Sequence, residues 1–134
     1  MLSKMSSFEK YKEYAPIVLR IGISLLFLWF GLNQIFDSSS WLGYFPQYAY
    51  ALPVEPLILI LMNGIFETLL GILLIIGLFT RFTSFILALH LLVIAFGLGY
   101  NDVAIRDIAL AIATFAIFLH GSDKWSLDNR LKKK

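Results

Sequence analysis

The sequence predicts an all-α integral membrane protein. The expected architecture is a four-helix bundle of antiparallel, up-down connectivity, with both termini cytoplasmic and a short interfacial helix at the N-terminus. Three observations predict it. Of 134 residues, 59% are hydrophobic, against about 45–50% in a soluble domain, and mean hydropathy is +0.79. The apolar residues gather into blocks of about twenty, the length that a bilayer core demands. Lys and Arg are distributed unequally around those blocks. The length suits one membrane domain over 1–134 with little outside it.

The first span is drawn from about Pro16 to Phe36 and the second from about Pro56 to Phe79. The third covers about Phe82 to Gly99 and the fourth about Val103 to His120. Each rises roughly 27–36 Å at 1.5 Å per residue, enough to cross. Pro16 and Pro56 suit a first helical turn, where a missing N–H costs nothing. Thr80-Arg81 is so short a link that spans two and three are expected to form an antiparallel hairpin. Before the first span, Ser6 and Glu9 offer a capping box. Phe8, Tyr11 and Ala15 then share a face, as a helix lying on the cytoplasmic surface requires. The polar stretch through Tyr14, with no small-residue cleavage site after the first apolar run, gives no expectation of a cleavable signal peptide.

Orientation follows from the bases. Lys4, Lys10, Lys12, Arg20, Arg81, Lys124, Arg130, Lys132, Lys133 and Lys134 all fall on one side if both termini are cytoplasmic, and only Arg106 falls on the other. The positive-inside rule therefore predicts a multi-pass protein of the cell membrane with both ends inside. The longest connection, Asp37 to Glu55, becomes an outer loop. Trp41, Phe45 and Tyr48 recur there at helical spacing, with Tyr44 and Tyr50 nearby. The favoured reading is an aromatic belt at the headgroups; the alternative is a lid over a cavity between the helices.

Polar residues at bilayer depth are the functional candidates, because a carboxyl there is costly unless paired, protonated or near water. Glu67 lies near the middle of span two. Asn63, Glu67 and Gly71 share one face at i, i+4, i+8, flanked by Gly64. Small and polar residues face a bundle rather than lipid. His90 lies near the middle of span three, roughly 6 Å from the depth of Glu67 by helical rise. A Glu67–His90 contact is thus feasible, as a proton relay, a headgroup site or a structural hydrogen bond. Arg20 lies about a turn inside span one. It either snorkels to the interface or turns toward Glu67. The gap of roughly 12–15 Å favours a bridging water or ligand over a direct pair. Asn33 and Gln34 close span one; Asp102, Arg106 and Asp107 open span four. An i, i+4 pair of Asp102 with Arg106 and a cap from Asn101 or Asp102 explain that cluster. A polar vestibule with Gln34 and Asn63 is the functional alternative.

Several chemistries are excluded or unsupported. With no cysteine, thiol catalysis, disulfides and iron–sulfur ligation are absent from this chain. No metal-ligand spacing, phosphate loop or nucleophile triad occurs. His120 ends span four at the interface, too far in depth from His90 for a metal site or a bis-histidine haem. The catalytic residue, if any, is unknown, and no nucleic-acid partner is expected. The lysine-rich end reads as topology, with anionic lipid contact as an alternative.

Four motifs in order resemble the DoxX family of small four-span membrane proteins. They are Leu19-Arg20-Ile21 with Phe27-Leu28-Trp29-Phe30-Gly31, Glu67-Thr68-Leu69-Leu70-Gly71, Gly77-Leu78-Phe79-Thr80-Arg81, and Arg106-Asp107 with Trp125-Ser126-Leu127-Asp128. The likeness covers roughly Leu19 to Asp128. In one departure, the family commonly carries a lysine three residues after the glycine of span one, where this chain has Gln34 after Gly31. Any role needing a cation there is in doubt. The resemblance implies association with quinone-linked redox chemistry, since the family's namesake is a membrane component linked to quinone reduction. Other similar proteins are associated with redox-stress complexes or with assembly of partners. Distantly similar thiol–quinone reductases use paired cysteines, so that chemistry does not carry over.

Three functions compete. In the first, the chain is a quinone-linked subunit whose Glu67 donates to a carbonyl oxygen, since a carboxyl taken out of water favours its neutral form. Asn63 and His90 complete that site, with Arg20 and Gln34 as further ligand-site candidates. Electrons then come from a redox partner protein or a diffusible reductant. In the second, it is a non-enzymatic scaffold or assembly partner held together by its buried polar groups. In the third, it carries a small or lipid-like molecule, for which so small a chain would need a homo-oligomer.

Overall fold

A computed structural model of the chain describes residues 7–132, and these are helical with no strand among them. Among the described residues, four helices are long and apolar enough to cross a membrane: α1 (Ala15–Phe36), α2 (Pro56–Ile76), α3 (Thr80–Leu98) and α4 (Asp102–His120). A short α5 (Leu127–Lys132) follows. Pro16 and Pro56 occupy first turns. Asn101 caps α4, its side-chain oxygen accepting from the Ala104 N–H at 2.8 Å, which leaves Asp102 inside the helix.

The predicted link between spans two and three shifts by a few residues. Gly77, at φ +76°, ends α2. The Gly77 and Leu78 N–H groups fold back onto the carbonyls of Leu74 and Leu73, the Schellman ending that a left-handed glycine permits. The link is therefore Gly77-Leu78-Phe79, and Thr80-Arg81 already belongs to α3. Phe79 itself is left-handed, at φ 52°, an uncommon state for a bulky residue. It is held there by the C-terminal segment: Asp128 accepts from the N–H groups of Phe79 and Thr80, each at 2.8 Å. In return, the Asp128 N–H donates to the Gly77 carbonyl at 2.9 Å.

Equally short links join α2 to α3 and α3 to α4, yet the helices pack unequally. The extensive pairings are α1 with α2 and α3 with α4, while α2 and α3 touch far less despite their short link. Gly31 and Gly64 explain the first pair. A Cβ on either would lie 2.8–2.9 Å from the other's carbonyl oxygen, so the two backbones meet directly, as small residues allow in membrane bundles. Small buried residues recur along the second pair: Ala88 and Ala95 on α3, Ala104, Ala111 and Thr114 on α4. A core of Ile23, Phe27, Leu74, Leu87, Leu91, Ala111 and Ile117 joins the two pairs.

Both described ends lie at one end of the bundle. Lys124 pairs with Glu13 at 2.8 Å, and the rings of Tyr14 and Trp125 meet edge to face at 6.1 Å. The expected N-terminal helix appears as residues 7–9, then a turn, then a 3₁₀ segment Lys12–Tyr14 running into α1, with Phe8 and Tyr11 exposed. The Ser6 end of the expected capping box lies outside the described residues, as do Lys4, Lys133 and Lys134. The 37–55 loop is two 3₁₀ helices, Ser38–Tyr44 and Gln47–Ala51. They are parted by Phe45-Pro46, both in extended conformation.

Candidate functional site

Away from the α2–α3 turn, space opens between the helices. A cavity of about 260 Å³ lies there, lined by all four helices and by the 37–55 loop. Its walls are apolar and aromatic, including Phe27, Phe30, Leu91 and Leu110. Its polar surface comes from Gln34, Asn63, Glu67, His90, Arg106 and Asp107.

Glu67 sits at the centre of the deep polar group, 4% exposed. Its Oε2 accepts from Gln34 Nε2 at 3.1 Å and its Oε1 from Asn63 Nδ2 at 3.2 Å. Asn63 Nδ2 also donates to Gln34 Oε1 at 2.6 Å. His90 Nε2 lies 3.1 Å from Glu67 Oε1. The His90 ring rests against Phe66, centroids 4.7 Å apart. One proton serves the Glu67–His90 contact in either arrangement: a protonated Nε2 donates to a carboxylate, or a neutral acid donates to a bare Nε2. The group can therefore present a donor or an acceptor to a molecule in the cavity.

Of the five ligand-site candidates, the structure thus brings Gln34, Asn63, Glu67 and His90 together and leaves Arg20 apart. Arg20 neither snorkels nor turns toward Glu67. It is 2% exposed; Nε donates to Asp123 Oδ2 at 2.6 Å and Nη2 to Oδ1 at 3.2 Å. Its Nη1 donates to the carbonyls of Leu74 and Ile75 at 3.0 and 2.5 Å. These are among the last carbonyls of α2, where a cation complements the helix dipole. Asp123 was not among the sequence candidates. The signal lay in an acid just past span four, level with Arg20, while topology reasoning counts only bases.

Arg106 and Asp107 also differ from expectation. Arg106 pairs with Asp107 at 3.3 Å rather than with Asp102, because both line the cavity. They line the same cavity as Gln34 and Asn63, the grouping that the vestibule alternative names. The loop lines the same space with Trp41, Tyr44, Phe45, Pro46 and Tyr48, the position that the lid reading requires. Tyr44, Tyr48 and Tyr50 still expose about half their surface, as a belt would. The lid rests on α3 at Gly97, where a Cβ would stand 2.4 Å from the Tyr48 ring and 2.9 Å from Pro46. Among the described residues, no three His, Asp or Glu side chains gather as metal ligands would.

A family model described as DoxX matches residues 15–99, more than half the chain. The chain belongs to the DoxX family. Comparison with curated proteins and with solved structures gives no match. In this DoxX protein the matched stretch holds α1 to α3, the lid and all four residues of the Glu67 group. The Arg106-Asp107 pair and the Trp125–Asp128 ending lie beyond it. The ending nevertheless touches the family's turn: Asp128 holds Phe79 and Thr80, and Gly77 leaves room for Ser126, which a Cβ would meet at 2.4 Å.

Proposed function

We propose that this DoxX protein is a cytoplasmic-membrane subunit associated with quinone-linked redox chemistry, and that its cavity holds the quinone headgroup. Glu67 as a neutral acid donates its Oε2 proton to one carbonyl oxygen, while His90 Nε2–H donates to Oε1; Asn63 and Gln34 orient the acid. The observation that carries this reading is a buried acid, met by two amides and an imidazole, facing a cavity of about 260 Å³ with aromatic walls. Pockets that bind small molecules have this character: mostly apolar, with a few convergent polar groups. Electrons come from a redox partner or a diffusible reductant. The bases clustered around the chain ends, against Arg106 alone at the other end, support cytoplasmic termini.

A second reading has its own observation. Gln34, Glu67 and His90 bond across α1, α2 and α3 without any ligand, which is what a scaffold or assembly partner needs. Purification of wild type and Glu67→Gln in mild detergent separates the two. Extracts are assayed for quinone by mass spectrometry and by ultraviolet redox difference spectra. The quinone reading expects near-stoichiometric quinone in wild type and at least a tenfold loss in a still-helical variant. No quinone in either protein, even after quinone is added back, overturns it and leaves the scaffold.

A further inference from the structure

The cavity carries a second polar pole that the quinone reading has not used. Arg106 is the one cation lining it among the described residues. Its guanidinium carbon stands 5.5 Å from the centre of the Phe30 ring, itself a wall residue. Stacking of this kind holds the planar guanidinium in place. Among the described residues its hydrogen bonds run from Nε and Nη2 to a single oxygen, Asp107 Oδ1, and both are long, at 3.4 and 3.3 Å. A guanidinium has five N–H groups, so three remain, on a side chain that lines the cavity and is also half-exposed. Along its helix, Arg106 lies roughly 6 Å from the cavity end and Glu67 roughly 16 Å, at 1.5 Å per residue. The two poles are therefore about 10 Å apart in depth, with Phe27, Phe30, Leu91 and Leu110 among the wall between.

We infer that Arg106 is a specificity-determining residue that binds the second oxygen of the ligand. The Glu67–His90 pair holds the first. The site then selects a flat ring with acceptor oxygens at opposite ends, a para-quinone, over a ligand with one oxygen. Measured along the bundle axis alone, two hydrogen bonds of about 2.9 Å and a six-membered diketone span a depth of that order. Charge argues for a neutral ligand. Asp107, with its side chain 10% exposed, already offsets Arg106, and Glu67 lies deeper in the same cavity. A carboxylate or phosphate would meet a guanidinium that Asp107 already neutralises. This inference rests on the cavity being the quinone site.

The test uses full-length protein in nanodiscs with two probes, a short-chain alkyl para-benzoquinone and the matching alkyl cyclohexenone with a single carbonyl. The quinone is followed by quenching of tryptophan fluorescence and the cyclohexenone by competition. Arg106→Gln is expected to weaken the quinone about tenfold or more, the loss typical of a hydrogen bond to a charged group. It is expected to change the cyclohexenone less than threefold. Arg106→Lys keeps the charge but loses the planar fork, and is expected to weaken the quinone severalfold while keeping the fold. Equal effects on both probes, or none on either while wild type binds quinone, overturn the role of Arg106 and spare the Glu67 site. Wild type that binds neither probe overturns the quinone reading itself. Decanoate binding tighter than the quinone, and lost in Arg106→Gln, overturns the neutral-ligand assignment.

Discussion

Arg20 shows how one residue can be placed correctly in depth and still be misread. Helical rise separates it from Glu67, and the structure agrees, but its partner Asp123 stands 103 positions away in sequence. No local pattern encodes such a pair. Removing one member leaves the other charge buried without compensation, which typically costs about 3–5 kcal/mol. Arg20→Ala and Asp123→Ala are each expected to lower thermal stability in detergent by that order. The double variant is expected to lose less than the sum, because the two act as a unit. Quinone content in the folded fraction is expected to stay at the wild-type level, since Arg20 does not line the cavity. By contrast, Glu67 and His90 were legible as a pair. Both lie on adjoining spans near one depth, and intramembrane polar groups have few places to turn. Gln34 was legible as a departure from the family. Its amide now bonds Glu67, so a hydrogen bond stands where a lysine would bring charge.

Among the elements, the turn between α2 and α3 depends on the far end of the chain. Burial alone would raise the Asp128 carboxyl. The N–H groups of Thr80 and Phe79 outweigh it and hold the group below the ordinary carboxylate range. A lowered folded-state value means that the stabilisation is complete above the unfolded value of about 3.9. It fades as pH falls through the lower folded value. Asp128→Asn is therefore expected to cost about 1 kcal/mol near pH 7, the worth of a helix cap. The gap between wild type and variant should close below about pH 4; a gap that persists in acid would contradict this role. The turn's position was readable to within three residues, and the miss came from Gly77, whose left-handed backbone ends α2 early. The lid was half legible. Its aromatic spacing suggested one helical face, but Pro46 divides it into two 3₁₀ helices. Gly97→Leu would unseat Tyr48 and Pro46 while leaving the Glu67 group intact. It is expected to speed quinone release severalfold in stopped-flow fluorescence; an unchanged release rate would show that the lid does not control access.

For the whole molecule, four spans could be drawn from hydrophobicity alone, because the bilayer requires length and apolarity of each one independently. Which spans pack closely could not. That depends on Gly31 meeting Gly64 and on small residues along α3 and α4, and it decides where the cavity opens. The hairpin drawn from the short link is present, but α2 and α3 touch less than either helix touches its other neighbour. The looser contact between the two helix pairs is what places His90 and Glu67 on the cavity wall. The most direct test of the quinone assignment is photolabelling of the purified protein with a short-chain azidoquinone, followed by peptide mapping. The account predicts adducts within the lid at 37–55 and on α3 around His90. They should be displaced by unlabelled quinone and lost in Glu67→Gln. Labelling confined to outward-facing residues such as Phe96 and Ile112, and indifferent to competitor, would contradict it.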